Sequence, residues 1–288
     1  MKANGQKIII AAHPTRGAAA SLAEEISAFL ADRGINVNTV SSVYDASLVN
    51  GVSKGEVRLL IVIGGDGTML RAGHICAPHQ VPILGINSGN FGFLMEVEQS
   101  EWIEKISAYL AGDYRLEDRM MLEVVHFRDE LSLGTYDALN EVVVCRGRFV
   151  RPIRLSAFVD GYLLSHYVAD GLIASTPTGS TAYALAAGGP VLPPEMRNIL
   201  IIPIAPHLSM DQAIILPLGS CVTFQVSTEH EAVMSIDGKP PIDLLDGDSI
   251  QISVQAYAAT FIRFQDPGYF YRNLSKYMEQ NPSKGKPV

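Results

Sequence analysis

The chain has 288 residues, of which 48% are hydrophobic, and its formal net charge is −8 with a pI near 5.4. The length suffices for one large domain or two ordinary ones, and the acidic balance disfavours a nucleic-acid-binding surface, which is usually basic. Three scattered cysteines fit a reducing cytosol. We find no signal-peptide pattern and no stretch apolar enough to span a membrane, and therefore expect a cytoplasmic protein.

The first 115 residues alternate short apolar runs with helical patterns. The apolar runs predict strands over residues 7–12, 35–40, 58–63 and 81–86. Helical periodicity predicts helices over 18–32, 69–76 and 102–110, whereas residues 41–57 carry no clear pattern. Alternating strands and helices indicate a parallel sheet with right-handed crossovers. We therefore predict an α/β domain with a Rossmann-like parallel sheet over residues 1–115.

Beyond residue 115 the pattern changes to short strands joined by tight turns. Strands are predicted over 121–127, 135–144, 153–159, 162–168, 199–204, 222–226, 233–236, 250–254 and 260–264. Helices are predicted only over 180–187 and 269–279. We therefore expect an all-β domain over residues 116–266, built as a β-sandwich of two packed sheets. Residues 267–288 would form a C-terminal helix that packs back on the first domain, and a loose tail.

A glycine-rich turn after the third predicted strand is the first candidate site. The buried strand leads into Gly64-Gly65-Asp66-Gly67-Thr68. Glycines let the backbone turn sharply and let an anion approach its amides, and Thr68 is expected to cap the next helix. Asp66 is the one ionisable group of this turn, at the strand end where open α/β sheets bind ligands. We predict that Asp66 is the chemical centre of the protein.

Three further segments carry polar groups near strand ends. The loop over residues 87–94 would wall a pocket or form a plain turn with an apolar plug. Asn140 and Glu141 interrupt an apolar run, where they must be bonded or lie at a strand end. Glu141 either faces the surface or shares a ligand with Asn140. Residues 175–181 hold five hydroxyl side chains in seven positions, more than helix capping explains, so amides at this helix start would suit a sugar or phosphate.

In chain order, these motifs resemble the NAD kinases. The resemblance rests on the Gly-Gly-Asp-Gly-Thr turn, the Asn140-Glu141 pair, Asp170-Gly171, and the run from Thr176 to Tyr183 followed by Gly188-Gly189-Pro190. It covers residues 8–268. The first turn alone also resembles lipid kinases and phosphofructokinases, whereas the hydroxyl-rich run with an upstream Asn-Glu is specific.

The resemblance implies phosphorylation of the 2′-hydroxyl of the adenosine ribose of NAD, giving NADP. ATP or polyphosphate would be the phosphate donor, with Mg²⁺ or Mn²⁺ as the divalent metal, although no protein ligand set for the metal can be assigned. The implied partners are NAD, NADP, ATP and further copies of the chain in a homodimer or homotetramer, without nucleic acid or membrane.

The resemblance also implies a role for individual residues. Asp66 would be the general base, and the donor phosphates would meet Gly64, Gly65, Gly67 and Thr68. The NAD-binding residues would be Asp66, Gly67, Arg71, Phe93, Asn140, Glu141, Arg151, Asp170, Thr181, Ala182, Tyr183, Ala186 and Ala205. For Arg71 and Arg151, a solvated surface charge is the alternative. The family commonly has serine at positions 184 and 186, where this chain has alanine, so hydroxyl contacts there are lost.

Other functions stay open at this point. A lipid or small-alcohol kinase would use the same aspartate turn with a different acceptor, and a dinucleotide sensor would bind NAD without catalysis. A dehydrogenase is disfavoured because His13-Pro14-Thr15-Arg16-Gly17 stands where a Gly-x-Gly-x-x-Gly motif would follow the first strand. Asp237, in a hairpin similar to one of the family, is interpreted as a turn residue.

Overall fold

The computed structural model describes residues 6–12, 17–89, 92–207 and 210–279. The chain divides into two compact units. The α/β unit contains the described residues up to 118 and those from 259 onward, and the β unit contains residues 119–258. Of the segments discussed above, residues 13–16, Asn90, Phe91 and the tail beyond residue 279 lie outside the described part.

The α/β unit is built around a parallel sheet. Its strands and helices are, in chain order, β1 (Lys7–Ala12), α1 (Gly17–Ala31), β2 (Val37–Val40), α2 (Ala46–Ser53), β3 (Val57–Gly64), α3 (Asp66–Cys76), β4 (Ile83–Asn87), β5 (Val97–Glu98) and α4 (Trp102–Ala111). The strands pair in the order β4-β3-β1-β2, all parallel, and β5 joins β4. The predicted parallel α/β domain is confirmed.

Buried apolar residues hold this sheet together. β3 is buried along nearly its whole length, as expected for a strand covered on both faces. α1 buries Ala19, Leu22, Ala23, Ile26 and Leu30, whose spacing places them on one helical face. α2 lies in the segment without a predicted element, and the Asp45 side chain caps it by accepting a hydrogen bond from Ser47 N–H.

The β unit consists almost entirely of antiparallel strands. In chain order the elements are β6 (Arg115–Arg128), β7 (Leu131–Ala138), β8 (Glu141–Arg146), β9 (Ile153–Val159), β10 (Tyr162–Ala169), β11 (Gly171–Ser175), α5 (Tyr183–Ala186), β12 (Asn198–Ile204), β13 (Ile214–Pro217), β14 (Val222–Ser227), β15 (Ala232–Ile236), β16 (Ile242–Leu244) and β17 (Ser249–Arg263). One sheet has the order β13-β12-β11-β8-β15-β16, and the other contains β10-β9-β14-β17. One core cluster draws on both sheets, including Val144 and Leu172 from the first and Leu155 and Phe224 from the second, as in the predicted sandwich.

Two long strands carry the chain between the units. β6 begins in the α/β unit and β17 ends there, where Phe261 pairs in parallel with Ile83 of β4. The last helix, α6 (Tyr269–Glu279), follows within the α/β unit. The described segment from residue 259 onward therefore belongs to the first unit, because β17 is one continuous strand that runs from the β unit into the α/β unit.

Several predicted elements differ from the structure. The strand predicted over 135–144 is β7 and β8, interrupted at Leu139 and Asn140. The strands predicted over 250–254 and 260–264 are both part of β17. The helix predicted over 180–187 is a 3₁₀ turn, Gly179–Thr181, followed by the single turn of α5. Period-2 patterns do not show where hydrogen-bond pairing stops, and these boundaries depend on partners far along the chain.

Candidate active site

Asp66 is the first residue of α3, directly after the strand that ends at Gly64. Gly65 is the N-cap, in an extended conformation with φ −135° and ψ −176°, and it makes no side-chain cap bond. The helix thus begins two residues before Thr68, and the predicted capping role of Thr68 is wrong. A Cβ at Gly65 would meet no neighbouring atom within 4 Å. The Thr68 side chain packs against Gly64, where its Oγ1 would lie 2.8 Å from a Cβ at that position.

Backbone amides of the loop after β4 hold the carboxylate of Asp66. Phe93 N–H donates to Oδ2 at 2.7 Å, and Leu94 N–H donates to Oδ1 at 3.0 Å. Burial raises the pKa of Asp66, and the amides of Leu94, Phe93 and Met95 and the charge of Arg263 offset part of this effect. A carboxylate with a raised pKa and a fixed orientation suits a general base.

Gly65 and Gly67 leave open space beside Asp66, whereas Gly92 allows the loop after β4 to pack closely against its carboxylate. A Cβ at Gly65 or Gly67 would meet nothing within 4 Å, so the backbone of the turn is open to a ligand. At Gly92, by contrast, a Cβ would overlap the Asp66 carboxylate and lie 2.6 Å from Oδ2. Open amides at a helix start favour an anion, and the missing side chain of Gly92 lets the loop reach Asp66.

Arg263, at the end of β17, supports the loop that binds Asp66. Its Nη1 donates to the carbonyl oxygen of Leu94 at 2.9 Å, and its Nε donates to Glu117 Oε1 at 2.9 Å. Glu96 Oε1 accepts the N–H groups of Phe264 and Gln265. The arginine is 4% exposed. Sequence reasoning missed Arg263 because it lies 169 positions from Leu94 and carries no local motif.

Asn140 and Glu141 lie in the β unit, at the turn between β7 and β8. Glu141 is 6% exposed, so its interpretation as a surface residue is wrong. Its Oε2 is buried without a hydrogen-bond partner among the described residues, while the carboxylate accepts a bond from Tyr183 N–H. Burial, followed by the charge of Asp237, raises the pKa of Glu141 to about 8. An orphaned buried oxygen of this kind is suited to bind a hydroxyl donor.

Most hydroxyls of residues 175–181 bind the protein backbone. Thr176 Oγ1 donates to the carbonyl of Leu139 at 2.6 Å, and Ser180 Oγ donates to the carbonyl of Pro177 at 2.6 Å. Thr181 Oγ1 donates to the carbonyl of Thr178 at 3.1 Å. The hydroxyl-rich pattern therefore shapes the turn before α5, rather than presenting a row of hydroxyls to a ligand.

The remaining predicted residues of the β unit differ in exposure and in the groups they contact. The phenol of Tyr183 is close enough to Glu141, Asp170 and Arg146 to feel their charges, and its ring is 45% exposed. Asp170 pairs with Arg146 Nε at 3.0 Å. Ala205 follows β12 with a φ of +45°. Of the other predicted residues, Thr181 and Ala182 are half-buried and Ala186 is exposed.

Two predicted arginines and Phe93 are less deeply placed. Arg71, on α3, is exposed, and its guanidinium lies 5.8 Å from the ring centroid of Tyr44. Arg151, between β8 and β9, is exposed, while Phe93 is half-buried in the loop that binds Asp66. Of the predicted residues, Phe93 contacts Asp66 in the α/β unit through its backbone N–H, and Tyr183 contacts Glu141 in the β unit through its backbone N–H.

Family models match both halves of the chain. The ATP-NAD kinase N-terminal domain matches residues 8–114, and the ATP-NAD kinase C-terminal domain matches residues 139–264. The chain belongs to the ATP-NAD kinase family. Among NAD kinases, that of Dehalococcoides mccartyi is 36% identical over 277 residues, or 96% of this chain and 97% of the relative. That of Heliobacterium modesticaldum is 42% identical over 226 residues, or 78% of this chain and 80% of the relative.

Solved structures share the fold of this NAD kinase family member. Yeast NADH kinase complexed with NADH has a TM-score of 0.83 at 24% identity and covers 97% of this chain and 89% of its own. An NAD kinase from Archaeoglobus fulgidus in complex with ATP has a TM-score of 0.74 at 24% identity, and the match covers 95% of this chain and 99% of the other chain. Within the described residues, no helix is long and apolar enough to cross a membrane.

Proposed function

We propose that this chain transfers a phosphoryl group from ATP to the 2′-hydroxyl of the adenosine ribose of NAD, giving NADP and ADP. The observation that carries the proposal is the Asp66 carboxylate, oriented by two loop amides at 2.7 and 3.0 Å after a buried strand. The attacking hydroxyl must lose its proton while its oxygen bonds to the γ-phosphorus and the bond to ADP breaks. Asp66 accepts that proton.

The acceptor would be held by Glu141 together with other predicted residues. Once it is ionised, the Glu141 carboxylate only accepts hydrogen bonds, so its orphaned Oε2 suits a ribose hydroxyl. Asn140 would bind the adenosine, and the exposed ring of Tyr183, with Thr181, Ala182, Ala186 and Phe93, would line the adenine. Asp170 and Ala205 would reach the nicotinamide end, and Arg71 and Arg151 would contact the dinucleotide.

The donor phosphates would lie against the open turn of Gly64, Gly65, Gly67 and Thr68. The described residues contain no group of three or more His, Cys, Asp or Glu side chains that could hold a metal ion. We therefore propose that Mg²⁺ or Mn²⁺ arrives on the donor, where it neutralises phosphate charge. A homodimer or homotetramer, and polyphosphate as an alternative donor, are proposed from the family resemblance, and a cytoplasmic location is proposed from the sequence.

Incubation of the purified chain with NAD, ATP and Mg²⁺ tests this function. NADP should form, as measured with an NADP-specific dehydrogenase, and the same assay with other nucleotides and polyphosphate ranks the donors. Asp66→Asn should abolish turnover while NAD binding, measured by calorimetry, persists. Absence of NADP with every donor would refute the kinase, and near-normal turnover of Asp66→Asn would exclude Asp66 as the base.

A further inference from the structure

The backbone turn that presents Asn140 and Glu141 rests on the carboxylate of Asp237. Asp237 Oδ2 accepts the N–H of Leu139 at 2.7 Å, and Oδ1 accepts the N–H groups of Asn140 at 2.8 Å and Glu141 at 2.9 Å. The backbone N–H of Asp237 donates in return to the carbonyl of Glu141 at 3.0 Å. One side chain therefore receives three consecutive amides.

The carbonyl side of the same turn is also fixed. Thr176 binds it twice, through Oγ1 to the carbonyl of Leu139 at 2.6 Å and through its N–H to the carbonyl of Asn140 at 2.8 Å. Gly179 packs so closely that a Cβ there would overlap the carbonyl of Asn140. The turn is held from both sides, and the Asp237 side chain accepts the N–H groups of Leu139, Asn140 and Glu141 on the amide side.

The backbone of Asp237 is itself unusual. Its φ is +50°, and Gly238 follows with φ +68°. Asparagine, aspartate and glycine tolerate this left-handed region best, so a hairpin turn accounts for an Asp-Gly pair. A hairpin turn does not account for three amides from another strand on one carboxylate, nor for a negative charge next to the buried Glu141.

We propose that Asp237 is a positioning residue of the acceptor site, which holds the backbone of residues 139–141 so that Asn140 and Glu141 present their side chains to the dinucleotide. This inference rests on the proposed NAD kinase function. Asp237 acts through these two residues and touches no reacting atom. Its charge also makes ionisation of Glu141 harder, because two carboxylates in a poorly solvated site repel each other. Among the residues that the structure describes, Tyr183 also faces the Glu141 carboxyl, to which it donates its backbone N–H.

The chain offers a matched control for this residue. Asp160, in the hairpin between β9 and β10, has a φ of +52° and is followed by Gly161 with φ +83°. Asp160 Oδ1 accepts the N–H of Cys221 at 2.8 Å, and its own N–H donates to the carbonyl of Cys221 at 2.8 Å. Asp160 and Asp237 thus share turn type and reciprocal backbone bonds, but Asp160 contacts none of the proposed site residues.

The test compares Asp237→Asn with Asp160→Asn in the full chain. An asparagine at position 237 is compatible with the turn but carries no charge. Its NH₂ group replaces one carboxylate oxygen and therefore cannot accept a backbone N–H of residues 139–141. For Asp237→Asn we expect the Kd and KM for NAD to rise about tenfold, with the KM for ATP unchanged. We also expect the pH dependence of NAD binding to shift to lower pH, because Glu141 ionises more easily. Asp160→Asn should change neither constant.

Further variants identify the cause of the pH shift. In a Glu141→Gln background, Asp237→Asn should still weaken NAD binding but should no longer move its pH dependence. Asp237→Glu keeps the charge and displaces the carboxylate, so it should weaken NAD binding without the shift, and it replaces Asp237→Asn if that variant fails to fold. Wild-type NAD constants and pH dependence in the Asp237 variants would overturn the inference. A wild-type chain that makes no NADP would instead refute the proposed function, and calorimetric NAD binding would still test Asp237.

Discussion

Replacing Gly92 by alanine tests how the carboxylate of Asp66, the proposed general base, is held. The φ of Gly92 is not in the left-handed region, so alanine fits the backbone. The new Cβ would overlap the Asp66 carboxylate, with Oδ2 at 2.6 Å, and the side chain must turn away. It then loses the N–H groups of Phe93 and Leu94, and hydrogen bonds to a charged group contribute about 1.5–3 kcal/mol each.

The expected result is a large loss of turnover with little loss of NAD binding. Since a positioned general base contributes about 10²–10⁴-fold to rate, kcat for Gly92→Ala should fall by about that factor. The assay follows NADP formation at saturating NAD and ATP, with the melting temperature measured in parallel. Gly17→Ala is the control, because a Cβ at Gly17 meets nothing within 4 Å. If Gly92→Ala retains kcat within about twofold of the wild type while folded, the loop is not what orients Asp66.

Two further predictions concern the pKa values of Asp66 and Glu141. Arg263→Met should move the acidic limb of the pH profile of kcat to higher pH, because the charge of Arg263 lowers the pKa of Asp66. Arg263→Lys keeps the charge and should leave that limb in place. Identical pH profiles for the two variants would exclude the electrostatic role of Arg263. The pKa of Glu141 is about 8 in the folded chain, against 4.5 for an unburied glutamate. The contribution of this group to stability is therefore fully present below pH 4.5 and is lost as the pH rises through 8. The melting temperature of Glu141→Gln minus that of the wild type should therefore increase as the pH is raised from 5 to 8, as measured by calorimetry without NAD. A difference that does not change with pH would contradict the raised pKa of Glu141.

Local patterns predicted the position of Asp66 well. The apolar run before Gly64 is a strand buried on both faces, and glycine after such a strand is a local signal that needs no knowledge of the rest of the chain. The cap of α3 was predicted wrongly because a threonine two residues inside the helix looks the same in sequence as a threonine at its start. The missed helix α2 is only eight residues long and buries only Leu48, Gly51 and Val52.

The residues that support the site were beyond the reach of local patterns. Asp237 was predicted as a turn residue, and its φ of +50° agrees with that, but its partners lie 96–98 positions away. Arg263 meets Leu94 across 169 positions. A single sequence shows that a carboxylate or guanidinium is present, but pairing over such separations depends on which strands become neighbours.

The use of main-chain amides to hold Asp66 has a consequence for the variability of the loop. Every amino acid except proline offers the same N–H group, so the bonds from positions 93 and 94 do not depend on which side chains stand there. The two bonds to Asp66 therefore make no demand on side-chain chemistry at these positions, whereas burial of the Leu94 side chain separately favours an apolar residue there. Proline is the single residue that the chemistry of this loop forbids at either position.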